Sequence, residues 1–142
     1  MDSVKYIGMD VHTETISIAV LNSSGKLVME CTIETKASTI LQFFQGVSGS
    51  LYVTFEQGTW AAWLYDLLKP QVTELVVCNP RKNALLKEGS KSDRIDARKL
   101  AELLRKKRAV ARKLAVLLHR LWVSGEVYEP LRNSQRTMQA VA

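Results

Sequence analysis

The stretch from Val4, "VKYIGMDVH", is short and largely apolar, the pattern of a buried strand, while "TETISIAVLN" alternates apolar and polar residues as a half-buried strand does. "NSSG" supplies a turn and "KLVMECTIET" a third strand, so the chain opens with an expected antiparallel meander. "KASTILQFFQGV" sets Ile40, Phe43, Phe44 and Val47 at helical spacing. "SLYVTFE" reads as a short strand, "TWAAWLYDLLKP" as a helix stopped by Pro70, and "TELVVCNP" as a strand ended by Pro80. The basic segment beyond it predicts helix with a break near Gly89, and "KKRAVARKLAVLLHRLWV" predicts a second helix following almost at once. "SGEVYEPLRNSQRTMQAVA" is polar and reads as a loop and disordered end. Three strands, then helix and strand in alternation, predict an α/β domain with a mixed sheet and flanking helices, plus a C-terminal helix and tail.

Charge adds to this picture because it is unevenly spread. The formal net charge is +6, yet residues 1–80 hold four Lys against eight acids, whereas residues 81–120 hold fourteen Lys or Arg against four acids. Such a layout suits a protein that gathers cations in one place and a polyanion in another, with nucleic acid the leading partner. A membrane surface or a merely solvated helix is the plainer reading. At 142 residues the chain fits one ordinary domain and an appendage. Its two cysteines, Cys31 and Cys78, show neither CxxC nor Cys/His ligand spacing, which argues against a disulfide scaffold and a zinc site. No basic-then-apolar leader opens the sequence, and no apolar run approaches the ~20 residues of a membrane span, so a cytoplasmic protein is expected.

The acids are the candidate chemistry. In "KSDRIDARKL" the helical period puts Asp93, Asp96, Ala97, Leu100, Leu103 and Leu104 on one stripe, with Arg94, Arg98, Glu102 and Arg105 opposite. Two carboxylates thus share the leucine face while the cations of the same helix point away. Asp10 lies inside the first strand, on the face of Tyr6 and Gly8, where an unpaired carboxylate is costly. Glu56 closes its strand at the carboxyl end, where open α/β sheets place their sites. Two carboxylates ~5 Å apart repel by roughly 3 kcal/mol at an effective dielectric of ~20. Four converging acids need protons or divalent cations, and oxygen-only ligands suit Mg²⁺ or Mn²⁺. Plainer readings stand beside these. Asp93 fits the last place of an S-x-x-D capping box begun by Ser90, Asp96 an ion pair with Lys99, and Glu56 a cap on the following helix.

"YIGMDVHTETISIAV", "FEQGTWAAWL" and "KSDRIDARKLAELL" together resemble the amino-terminal domain of the DEDD-type insertion-sequence transposases, the Piv/MooV-like group (insertion-sequence family one hundred and ten). The resemblance covers about residues 4–105 and implies a ribonuclease H-like, RuvC-type fold, an order of elements that agrees with the one read above. By the same resemblance Asp10, Glu56, Asp93 and Asp96 are the four catalytic, metal-binding acids for Mg²⁺ (or Mn²⁺), DNA is the substrate, and an element-encoded guide RNA is a partner. Family members are longer, with a coiled-coil segment and a second domain that carries a serine nucleophile. "RAVARKLAVLLHRLWVSGEVYEPL" is similar to their extreme carboxyl end. The expected organisation is therefore a RuvC-like DEDD domain over residues 1–105 joined near "LLRKKRAV" to a helix and tail over 106–142, the product of an internal deletion. A sugar-kinase or actin-like nucleotide domain shares the pattern of the first hairpin. It requires a glycine-containing phosphate turn where this chain has Val11-His12-Thr13-Glu14, whose acid repels phosphate.

Other residues carry lesser expectations. Arg81, Lys82, Lys87, Lys91 and Arg94 are candidate nucleic-acid contacts, lying near the acids in sequence. The run Arg105, Lys106, Lys107, Arg108 reads either as a second such patch or as an exposed charged face. His12 reads as a strand-end residue at a turn, with a place near the metals as the alternative. Trp60 and Trp63, at i and i+3, read as core rather than as base-stacking rings. Leu114, Leu117, Leu118, Leu121 and Trp122 form an apolar stripe expected to pack on the core or to associate with its like in a homo-oligomer.

Overall fold

The computed structural model describes residues 3–79 and 96–124. The meander is present: β1 (Val4–Val11), β2 (Thr15–Asn22) and β3 (Leu27–Glu34) pair antiparallel in chain order. β4 (Ser50–Glu56) then joins β1 in parallel, and β5 (Glu74–Cys78) joins β4 in parallel. The result is a five-stranded mixed sheet in the order β3-β2-β1-β4-β5. Parallel neighbours need crossovers, and α1 (Ala37–Gln45) and α2 (Ala61–Leu68) provide them.

Strand alternation sorts the sheet into two faces. On one, Ile7, Met9, Ile16, Ile18, Val20, Val53 and Phe55 form the main core with Ile40 and Phe44 of α1 and Leu64 and Leu68 of α2. Burying each of these side chains contributes about 1.5–3 kcal/mol, enough to hold α1 and α2 in place although neither has a side-chain N-cap. α1 ends at Gly46, whose N–H donates back to Gln42 and Phe43. Pro70 has no N–H to continue α2, and the chain leaves it through a single 3₁₀ turn, Lys69–Gln71.

The opposite face carries Gly8, Ala19 and Thr54 and is covered by the first turns of α3 (Ala97–Ser124), through buried Ala97, Leu100, Ala101 and Leu104. Gly8 makes this approach possible. A Cβ there would fall 2.0 Å from the Ala97 carbonyl oxygen and 2.6 Å from the Ala101 nitrogen. Helices on both faces of a mixed sheet with this strand order make a ribonuclease H-like α/β fold.

Two expectations change. Residues 97–124 form one helix where two were expected, because no Gly or Pro lies between its ends and Ala, Leu, Lys and Arg are all strong helix formers. The buried stripe is also turned slightly, taking in Ala101 and leaving Leu103 half-buried. The outward cations do more than solvate the helix. Arg98 pairs with Glu30 of β3, its Nε donating at 3.0 Å. Arg105 donates twice to Glu102, at 3.0 and 2.6 Å, while its guanidinium lies against Gly25 in the β2–β3 turn. Gly25 takes φ +89°, and Asn22 Oδ1 accepts the N–H groups of Ser24 and Lys26 to close that turn.

The chain divides into two compact units, Met1–Lys107 and Arg108–Ala142. In the second, the described residues are helical, and Leu114, Leu117, Leu118 and Trp122 of the apolar stripe are exposed. The expected break near Gly89 and the polar tail beyond residue 124 lie outside the described residues.

Candidate active site

Asp10 and Glu56 come together because β1 and β4 are parallel neighbours in register. The pairing runs from Val4–Ser50 to Met9–Phe55, and the two acids stand one position further on, at adjacent carboxyl ends. Neighbouring strands are ~4.8 Å apart, so the acids are close by construction. Both line a cleft of about 300 Å³ at the sheet edge, with Gln57, Thr59 and Trp60 completing its polar wall in front of α2.

Asp10 has a partner within the domain. The His12 ring nitrogen Nε2 lies 3.1 Å from Asp10 Oδ2 and donates to it in the tautomer protonated there. Both side chains are partly exposed, at 35% for His12 and 23% for Asp10, so water reaches the pair. His12 occupies the turn, as its place at the strand end predicts, where its backbone N–H bonds Thr15, and its ring contacts Asp10. A second hollow, of about 510 Å³, adjoins this turn between Val11–Thr15 and the Thr59–Trp60 segment.

Asp96 stands immediately before α3 and is exposed. Its Oδ1 accepts the Lys99 N–H at 2.9 Å and its carbonyl accepts that of Leu100, so it is the N-cap of the helix. Periodicity extended the helix backwards through this residue; the expected contact with Lys99 is made to the backbone amide instead. The amino end of α3 crosses β1 at Gly8, on the sheet face that Asp10 shares, which brings Asp96 to the same side of the sheet as the first acid.

Asp93 and the basic candidates Arg81, Lys82, Lys87, Lys91 and Arg94 lie outside the described residues. Among the described residues no three His, Cys, Asp or Glu side chains are grouped to hold a metal ion. The donor chemistry on hand is the Asp10–Glu56 pair, whose all-oxygen character fits a hard divalent cation.

Trp60 and Trp63 depart from expectation. They are 42% and 39% exposed, and their rings meet edge to face at 6.3 Å beside the cleft. The packing of α2 accounts for this. The buried stripe of α2 is centred on Leu64 and Leu68, which turns Trp63 well to one side, and Trp60 precedes the helix.

A mixed sheet covered on both faces, with two carboxylates at adjacent parallel strand ends, defines a ribonuclease H-like domain with an acidic edge. Residues 7–118 match the family model of the DEDD-type IS110 transposases, described as transposase. The chain is also 33% identical over 108 residues to the transposase for insertion sequence element IS1533 of Leptospira borgpetersenii, an alignment covering 70% of this chain and 30% of that protein. The chain belongs to the IS110 family of DEDD-type transposases. It spans about 30% of the length of the curated relative it matches. Among the described residues no helix is long and apolar enough to cross a membrane.

Proposed function

We propose that this chain is the acid-bearing domain of an insertion-sequence transposase, acting in DNA transposition through a Mg²⁺- or Mn²⁺-dependent site. The observation that carries the reading is the Asp10–Glu56 cleft at adjacent parallel strand ends, in a chain of this family. Asp10, Glu56, Asp93 and Asp96 are the ligands. A divalent ion held by them supplies positive charge to the oxygens of a phosphodiester and lowers the pKa of a nucleophile. His12 orients Asp10 through its hydrogen bond, the role that partners of ligating carboxylates commonly play. Asp96 fixes the start of α3, and one carboxylate oxygen suffices for that cap. Arg81, Lys82, Lys87, Lys91 and Arg94 contact phosphates, with DNA and a guide RNA as partners and further copies of the chain completing a homo-oligomer in the cytoplasm. Residues 1–105 form the RuvC-like domain under this reading and 106–142 its appendage.

The test is a thermal melt with increasing Mn²⁺ or Mg²⁺ on the parent chain and on an Asp10→Asn, Asp93→Asn double variant. Metal at a hundred times its Kd stabilises a one-site protein by about 2.7 kcal/mol, so the parent midpoint rises by several degrees and that of the variant stays put. Equal shifts in the two proteins remove the metal site and favour an alternative function, that of a catalytically inactive nucleic-acid-binding remnant.

A further inference from the structure

Two indoles side by side at the surface forgo much of the stabilisation that burial would give them. Trp60 is 42% and Trp63 39% exposed, while the inner positions of α2 are filled by Leu64 and Leu68. Trp60 belongs to two hollows at once: the cleft of Asp10 and Glu56, and the neighbouring one bounded by His12, Thr13 and Glu14.

We propose that Trp60, backed edge-on by Trp63, is a stacking platform for an unpaired nucleobase of the strand held at the Asp10–Glu56 cleft; this rests on the nucleic-acid reading above. The surroundings select the ligand. Carboxylates and hydroxyls rim the indole, whereas the centre of a protein–protein interface is depleted of charge. The nearby acids, Glu14 included, repel phosphate, so an uncharged contact is the kind that can seat a strand close to them. An indole face offers that contact to any base. In a duplex each base is covered by its neighbours, so only a single-stranded or extruded base presents a free face.

The experiment measures binding of a labelled mixed-sequence single strand, and of its duplex, to the full chain and to Trp60→Ala, Trp60→Phe and Asp10→Asn variants. Trp60→Ala is expected to weaken single-strand binding roughly five- to one-hundred-fold and duplex binding by less than about twofold, with Trp60→Phe restoring most of the loss. Unchanged single-strand affinity in Trp60→Ala overturns the proposal, as does an equal loss on both DNAs. So does a change of sedimentation in Trp60→Ala at unchanged single-strand affinity, which would make the pair a contact between copies. The two ideas fail separately. Unchanged single-strand affinity in Trp60→Ala, with an intact metal-induced rise in melting temperature in the parent, sinks the platform alone. A missing metal response with selective single-strand binding sinks the metal site alone. A parent that binds neither DNA overturns the platform outright.

Discussion

A carboxylate set between Met9 and Val11 in a central strand needs company, and His12 provides it two residues on. The ionic pair of Glu102 and Arg105 works differently, because it is built within one turn of helix and pressed against Gly25. Hydrogen bonding from Arg105 lowers the Glu102 pKa, against a smaller opposing push from burial; its charge and that of Lys106 act in the same direction. The same bond raises the Arg105 pKa. A carboxylate whose folded-state pKa is depressed stabilises the protein above its unfolded value and loses that contribution as pH falls through the folded one. Glu102→Gln is therefore expected to melt slightly below the parent at pH 7. The gap should close as pH drops below the ordinary Glu value of about 4.3. Paired melts at pH 7 and near pH 3 check this, and a gap of the same size at both would assign the effect to packing. The pair is surface-accessible, so the difference is small.

At the scale of elements, Gly8 decides where α3 sits. Replacing it with Ala drives a Cβ into the backbone at Ala97 and Ala101, which no side-chain rotation relieves. Gly8→Ala should cost about 3 kcal/mol in urea unfolding, at the upper end for overpacking, and should shift the amino end of α3 away from the sheet. A variant as stable as the parent would mean that α3 does not bear on β1. The elements also show what a sequence alone discloses. All five strands were legible, β2 from its period-two alternation and the others as short runs rich in apolar residues, while Asp10 stood out as an acid inside an apolar strand and Glu56 as an acid closing one. The start of α3 was not. The stripe of Leu100 and Leu104 projects backwards through Asp96 without marking where the helix begins, yet that boundary makes Asp96 a cap. Nor was the exposure of Trp60 and Trp63. Spacing says which residues share a side but not whether the side is covered, and Leu64 and Leu68 had already filled the space beneath α2. The continuity of α3 was hidden by the charge run Arg105–Arg108, which looks like a junction but consists of good helix formers.

For the molecule as a whole, the division of charge bears on the proposed contact with a polyanion. Residues 1–80, the half that bears the cleft, hold eight acids, and fourteen cations follow in residues 81–120. Asp10 and Glu56 repel the backbone they are proposed to act on, so any electrostatic attraction must come from the basic part. There the ion pairs of Arg98 with Glu30 and Arg105 with Glu102 already use two of the guanidinium groups. If Arg81, Lys82, Lys87, Lys91 and Arg94 each neutralise one phosphate, log K for duplex DNA falls with log salt at a slope of about −4.5. That is a loss of about 500-fold between 50 and 200 mM salt. Changing Lys82 and Lys87 to Ala should weaken binding alike on unrelated sequences and reduce the slope by about 2. A salt titration of parent and variant on two duplexes of different sequence gives both numbers. A flat salt dependence in the parent would deny the electrostatic contact altogether. A steep slope left unchanged in the variant would move the contact to the other cations of the basic half, with Lys106 and Lys107 the next pair to substitute.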